Sequence, residues 1–155
     1  MKQSRQLADR FCEVMLDGQL VAGTNFKDQL GRVRLEQATK RIGAQHSIAA
    51  LVFHINYYIA GVLDVLAGGE LVIRDKFSFD MSPVETEGDW QELRAQLLAN
   101  SETFATLVEQ LSDEQLDETF VDPKYGSYRR NLNAMIEHCY YHLGQVSLLR
   151  KLSAD

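Results

Sequence analysis

The sequence predicts an all-α fold, a four-helix bundle whose helices run in the order up-down-down-up. Four long segments repeat apolar residues at helical spacing, and no segment alternates convincingly enough to be a strand. The only two prolines, Pro83 and Pro123, fall between these segments, where proline does not interrupt a helix. A length of 155 residues is enough for one core, so we predict a single helical-bundle domain over residues 1–155.

The first helix is predicted over residues 2–16. Leu7, Phe11 and Val14 mark its apolar side, and Gly18 follows directly after its expected end. The opening residues run straight into this amphipathic pattern and contain no apolar stretch typical of a signal peptide. We therefore expect no signal peptide.

Shorter helical pieces are expected before the second long helix. Thr24 or Asn25 is a suitable cap for a short helix, and residues 35–42 have the pattern of another helical turn or two. Ser47 is a good N-cap for the second long helix, whose apolar residues repeat at helical spacing until Gly68 ends it.

Polar capping residues also mark the second half of the chain. The third long helix is predicted to open with a capping box formed by Asp89 and Glu92, and Ser112 repeats that signal for a small helical turn. Ser127 can cap the last helix, which is predicted to run to about Leu152. Each long helix thus has a start signal in front of its apolar stripe.

The connection over residues 68–88 carries the information on helix order. A helix of about 21 residues is roughly 30 Å long, and this connection is long enough to return along that distance. Antiparallel neighbours need only short turns, so the length favours a crossover that leaves the second and third helices parallel. Residues 71–79 alternate enough to indicate a short extended piece within it.

Composition excludes several classes of protein. Sixteen Lys and Arg against 22 Asp and Glu give a formal charge of −6, which argues against nucleic acid as the main partner. His54, Asn56 and Asp64 interrupt the longest apolar stretch, so a membrane span is not expected. Two cysteines, Cys12 and Cys139, are too few for a disulfide framework. We expect a soluble cytoplasmic protein.

Three of the four histidines form a candidate metal site. His138 and His142 project from one face of the last helix one turn apart, and His54 lies within the apolar stripe of the second helix. A buried imidazole needs a hydrogen-bond partner or a metal, and facing helices of a bundle can bring three such nitrogens together. The alternative is three unrelated histidines, each bound to a carbonyl or a tyrosine. Cys139 stands where zincin metalloproteases require glutamate, which excludes that class.

Two stretches resemble a known family. Residues 48–57 (IAALVFHINY) and 138–146 (HCYYHLGQV) are similar to the DinB-like (YfiT-type) bundle metalloproteins, and the likeness covers essentially the whole chain. The resemblance implies that His54, His138 and His142 bind one divalent metal ion, zinc or nickel most commonly, with one position open for water or substrate. It assigns no metal role to His46, which we expect to be a partly exposed residue at the helix end.

Several neighbours of the histidines are candidate functional residues. Tyr58, one turn beyond His54, can orient a substrate or donate a proton, although tyrosines on bundle helices are more often core residues with a solvated hydroxyl. Gln145 can donate a hydrogen bond to a bound ligand or to a carboxylate that supports a metal ligand, or it can simply face solvent or join two helices. Gly144 allows a close approach of another helix, or is only a tolerated glycine.

The resemblance also implies a range of functions. It implies transfer of a low-molecular-weight thiol to an electrophilic small molecule, thiol-dependent isomerisation, or hydrolysis, and we expect the thiol transfer. The alternative is a non-catalytic metal-binding bundle that serves a stress response. Proteins of this kind often pair as two-fold dimers, so a homodimer is expected. Three imidazoles accept zinc, nickel, cobalt, iron or copper, so the residues alone do not select the ion.

Overall fold

The computed structural model describes residues 2–154, and over this range the chain is helical with no strand. The prediction of an all-α fold is confirmed. Met1 and Asp155, the two ends of the predicted domain, lie outside the described residues. The α-helices are α1 (Gln3–Cys12), α2 (Phe26–Leu30), α3 (Leu35–Thr39), α4 (Ile48–Leu66), α5 (Glu87–Gln110), α6 (Asp113–Asp117) and α7 (Tyr128–Leu152).

Four of the predicted helix caps are confirmed. The side chains of Asn25, Ser47, Ser112 and Ser127 each accept a hydrogen bond from a backbone N–H in the first turn of the helix that follows. Of the two alternatives for α2, Asn25 rather than Thr24 is the cap. Because each cap satisfies a donor that the helix leaves unpaired, these residues define where α2, α4, α6 and α7 begin.

The predicted start of α5 is wrong by one turn. Thr86, not Asp89, is the N-cap: the Thr86 hydroxyl accepts from the Asp89 N–H at 3.1 Å, and Asp89 Oδ2 accepts from the Thr86 N–H at 2.8 Å. Asp89 therefore occupies the third position of the capping box rather than its first. Glu92 lies beyond the box on the exposed face of the helix.

Two further boundaries differ from the prediction. The first helix ends at Cys12 and continues as a π-helical turn over Glu13–Asp17. The extended piece predicted over residues 71–79 does not pair as a strand, and Asp75–Phe77 instead forms a 3-10 turn. The alternation in this segment arises because some of its residues contact the helices while the others face solvent.

The long helices pack through one continuous core. Phe11 of α1 packs against Phe104 of α5, with ring centroids 4.4 Å apart. Asn100 of α5 donates to the side-chain oxygen of Asn56 of α4 at 2.9 Å. The fully buried Trp90 donates its indole N–H to the carbonyl of Val33 at 2.8 Å, which attaches the loop before α3 to α5. These polar groups inside the core therefore have hydrogen-bond partners.

The connection between α4 and α5, residues 67–86, is called the crossover below and packs against α4. The Tyr57 hydroxyl accepts from the Arg74 N–H at 2.8 Å and donates to the Arg74 carbonyl at 3.0 Å. Ile73 lies directly over Gly61, where an added Cβ would be only 2.5 Å from Ile73 Cδ1. The crossover therefore follows the surface of α4 closely where it passes these residues.

Within the described residues, α4 alone is long and apolar enough to cross a membrane, with a mean hydropathy of 1.6. Buried residues make up 56% of that apolar window, and core helices of soluble proteins have the same composition. This burial is consistent with a soluble protein. The cytoplasmic compartment stays a prediction.

Replacing the cap of α5 is expected to destabilise the fold. Thr86→Ala removes one acceptor from the capping box, so we expect a loss of about 1 kcal/mol in the free energy of unfolding, measured by chemical denaturation. Thr106→Ala is the matched control, because Thr106 is exposed in the interior of the same helix and bonds only the Glu102 carbonyl. Equal midpoints for the two variants would contradict the assigned cap.

Candidate metal centre

Three histidines from two helices converge on one point. His54 lies in the middle of α4, and His138 and His142 lie one turn apart on α7. The Nε2 atom of His138 is 3.2 Å from Nε2 of His54 and 2.9 Å from Nε2 of His142. His54 and His142 are only 8% and 6% exposed. The three residues that the sequence predicted as ligands therefore form a cluster compatible with a metal site.

The hydrogen bonds of Nδ1 in His54 and in His142 determine which ring nitrogen carries the hydrogen. Nδ1 of His54 lies 3.3 Å from the carbonyl oxygen of Ser78, and Nδ1 of His142 lies 2.6 Å from Oε1 of Gln145. Both partners are acceptors, so each Nδ1 carries the hydrogen and donates it. In a neutral imidazole the other nitrogen then holds a lone pair. Both lone pairs are directed at Nε2 of His138.

This arrangement fits a cation better than it fits hydrogen bonds alone. Neutral His138 has at most one hydrogen on Nε2, and that hydrogen can satisfy only one of the two lone pairs that face it. Nitrogen ligands that surround zinc tetrahedrally at about 2.0–2.1 Å are roughly 3.3 Å apart, close to the 2.9 and 3.2 Å between these Nε2 atoms. The donor set therefore has the spacing and the lone pairs that a divalent ion requires.

Burial keeps these imidazoles unprotonated. The pKa of His138 is lowered to about 4, mainly by burial and in addition by the neighbouring His142 and His54. Burial is also the main cause of the lowered pKa of His54 and of His142, although the bond to Gln145 partly opposes the effect in His142. Neutral imidazole is the form that binds metal, so the cluster is ready to bind at neutral pH.

The comparison with protein families agrees with this geometry. A family model of the DinB superfamily matches residues 22–146, which is well over half of the chain and includes all three histidines. The chain belongs to the DinB superfamily. A search of curated proteins and a search of solved structures found no match. The family match thus confirms the resemblance seen in the sequence. The arrangement of the histidine nitrogens is seen in the structure of this chain itself.

The two other candidate residues of this DinB-superfamily member lie beside the cluster. The Tyr58 hydroxyl donates to Oδ1 of Asp75 at 2.8 Å, and the Tyr58 ring centroid is 5.1 Å from that of His54 and 5.3 Å from that of His138. Burial is the largest cause of the raised pKa of Tyr58. Gln145 accepts a hydrogen bond from His142 through Oε1, and donation from its amide group to a bound ligand stays a prediction.

Other residues near the histidines lie outside the cluster. Gly144 is exposed, and an added Cβ would meet no atom within 4 Å, so the close helix approach considered for it is wrong. Cys139 is fully buried, and burial raises the pKa of its thiol well above the usual range. Glu137 is exposed. His46 is also exposed and stacks on Phe79, with ring centroids 3.9 Å apart.

The crossover supplies site residues that the sequence did not indicate. Its Ser78 carbonyl holds His54, its Asp75 accepts from Tyr58, and its Phe79 stacks on His54 with ring centroids 4.1 Å apart. The tight attachment of the crossover to α4 brings these residues to the cluster. No periodic signal marks them, because a loop residue reaches the site through the path of the chain rather than through helical spacing.

Two cavities adjoin the histidine cluster. The first cavity, of about 380 Å³, is lined by His54 and His138 together with Tyr58, Asp75 and other residues of α4, α7 and the crossover. The second cavity, of about 660 Å³, is lined by His54 and His142 and is otherwise mainly apolar. His54 belongs to both walls. Small molecules in the two cavities would therefore reach the same centre from different sides.

Acid is expected to destabilise the metal-free protein through His138. Its folded pKa lies below that of an unfolded histidine, about 6.5, so the unfolded chain binds more protons and stability falls as pH drops from about 6.5 to 4. The variant His138→Gln cannot take up this proton. With chelator present, we expect the unfolding free energy of the variant to fall less over this range than that of the wild type. Parallel pH profiles would exclude a buried neutral His138.

Gln145 is expected to strengthen metal binding without contacting the metal. Gln145→Leu removes the acceptor that orients His142, so we expect roughly 10- to 100-fold weaker metal affinity, measured by competition with a chromogenic chelator. Gln145→Glu keeps an acceptor oxygen at the same place and is expected to retain most of the affinity. If both variants bind as tightly as the wild type, the bond to His142 has no orienting role.

Proposed function

We propose that this chain is a metal-dependent enzyme that transfers a low-molecular-weight thiol to an electrophilic small molecule. The convergence of three Nε2 atoms at the boundary of two cavities carries the proposal. Transfer between two small molecules requires both to meet at one reactive centre, and two cavities that share His54 provide space for both. The resemblance to the DinB-like metalloproteins implies this class of chemistry, and membership of the DinB superfamily agrees with the resemblance.

The proposed ligands are His54, His138 and His142, and the proposed ion is divalent, zinc or nickel. An ion held by these three imidazoles would leave one position for substrate and would lower the pKa of a thiol bound there, so that a thiolate would be available at neutral pH. The imidazoles are neutral and soft enough for either ion, whereas an ion such as magnesium prefers oxygen ligands.

The protein residues position the reactants around this centre. Ser78 and Gln145 fix the ring orientation of His54 and His142 through their Nδ1 hydrogens. Phe79 covers one face of His54 and excludes water from it. Tyr58 lies in the wall of the first cavity with its hydroxyl on Asp75, where it can orient the thiol or give a proton to the leaving group.

We also propose that α1, α4, α5 and α7 form the up-down-down-up bundle. Contacts that join Ser4 to Glu109 and Phe11 to Phe104 support opposite directions for α1 and α5. The hydrogen bond from Arg10 to Asn133, with a bond between the start of α1 and Arg129, supports parallel α1 and α7. In this arrangement the crossover returns along the bundle and passes the metal centre.

The direction of α4 completes this proposed order. Leu51 and Leu149 share the second cavity, whereas Val62 and Met135 share the first cavity. Positions that rise along α4 thus meet positions that fall along α7, which supports opposite directions for these two helices.

The proposal also covers the partners and the setting of the protein. It includes a small-molecule substrate, a two-fold homodimer and a cytoplasmic location, without nucleic acid or membrane partners.

Metal analysis is the first test of the function. We expect about one divalent ion per chain after purification without added metal, measured by elemental analysis, and loss of that ion in His54→Ala and His142→Ala. His46→Ala is the matched control for metal content, because His46 stacks on Phe79 and does not belong to the convergent cluster.

Activity is then measured with a panel of thiols and electrophiles. We expect turnover in the metal-loaded wild type and loss of turnover in His142→Ala, since removing one of three ligands removes the site that activates the thiol. Full turnover by a metal-free variant would contradict the proposal. If the metal is bound but no thiol reacts, the non-catalytic metal-binding bundle is the correct description.

A further inference from the structure

The first cavity has one charged side chain in its wall. Asp75 is that residue, and the other polar groups besides the two histidines are Tyr58, Tyr125 and Asn131. The remaining wall residues are apolar: Val62, Leu71, Ile73, Phe120, Ala134 and Met135. No lysine or arginine lines the cavity, so the wall offers no cationic partner for a carboxylate or phosphate group of a ligand.

Asp75 is held in place but keeps acceptor capacity. The Tyr58 hydroxyl donates to its Oδ1 at 2.8 Å, and the preceding residue, Arg74, is fixed by two backbone bonds to Tyr57. No ion pair joins Asp75 to another residue in the range 2–154. A carboxylate offers about four acceptor positions, so Asp75 can still bind a donor that enters the cavity.

Tyr58 connects this carboxylate to the metal centre. Its ring lies edge-on to both His54 and His138, with centroid distances of 5.1 and 5.3 Å, while its hydroxyl contacts Asp75. One tyrosine side chain thus contacts both the carboxylate and two of the three histidine rings. A short molecule with two different functional groups can reach both.

The second cavity has a different character. No Asp, Glu, Lys or Arg lines it, and most of its wall is apolar, including Ile42, Leu51, Phe79 and Leu149. An uncharged electrophile suits that wall, because burying a charged group there without a partner would be costly. The two cavities therefore differ in the charge of their walls, and this difference can distinguish two substrates.

We infer that the thiol substrate carries an ammonium group, and that Asp75 binds this group in the first cavity while the sulfur faces the three histidines. The inference rests on the proposed function and specifies its thiol. An ammonium group would replace its water shell with the carboxylate, a charge-assisted contact, whereas an anionic thiol would meet like charge. The recognition chemistry is that of a primary aminothiol.

The test compares three short thiols on cobalt-loaded protein. Cysteamine carries an ammonium group, 2-mercaptoethanol is neutral and 3-mercaptopropionate is anionic. Their dissociation constants are measured from the sulfur-to-cobalt absorption band and by calorimetry. We expect the preference for cysteamine over 2-mercaptoethanol to fall roughly 3- to 10-fold in Asp75→Asn. Asp80→Asn is the matched control, since Asp80 is an exposed carboxylate of the crossover outside both cavities.

Comparing ratios removes differences between the thiols themselves. Their intrinsic acidity, and any direct binding of the amine to cobalt, are the same in every variant and cancel. A second variant, Asp75→Lys, is expected to reverse the order and favour 3-mercaptopropionate. Circular dichroism and cobalt content show whether each variant is folded and loaded.

The outcomes separate this inference from the proposed function. If the thiols bind the cobalt centre with the same preferences in the wild type, Asp75→Asn and Asp75→Lys, the role of Asp75 is wrong while thiol binding stands. If no thiol changes the cobalt spectrum, the proposed function fails and the inference fails with it. A ratio that changes only with the charge at position 75 supports both.

Discussion

The candidate metal centre depends on the convergence of three imidazole nitrogens, from His54 on α4 and from His138 and His142 on α7. His54 and His142 each use Nδ1 as a donor, so two lone pairs face the single Nε2 of His138. A single hydrogen on Nε2 of His138 can satisfy only one of these lone pairs, whereas a metal ion can bind both. The packing of α4 against α7, the path of the crossover and the position of Gln145 all maintain this convergence.

Residues in regular helices could be predicted well from the sequence. His138 and His142 are one turn apart on a strongly patterned helix, and His54 interrupts an apolar stripe, so helical geometry allowed a shared site. The resemblance to a known family then favoured that site over three unrelated histidines. The N-caps Ser47 and Ser127 were also predictable. A cap depends on bonds within one turn and needs no knowledge of the rest of the fold.

Residues outside the periodic segments could not be predicted in the same way. Ser78, Phe79 and Asp75 reach the cluster only because the crossover is attached to α4, and nothing in their local sequence encodes that path. The start of α5 failed for a different reason: Thr86 with Asp89 and Asp89 with Glu92 both match a capping box. Local signals of equal quality compete there, and the packing of the helix decides between them.

Gly61 has a consequence for the width of the first cavity. Ile73, a residue of that cavity wall, occupies the space in which any other amino acid at position 61 would have its Cβ. A single methyl group there would push the crossover outward, and it would move Asp75 and Ser78 away from the rings that they contact. The separation of Asp75 from the histidine cluster is therefore set partly by the lack of a side chain at Gly61, about two helical turns from His54 along α4.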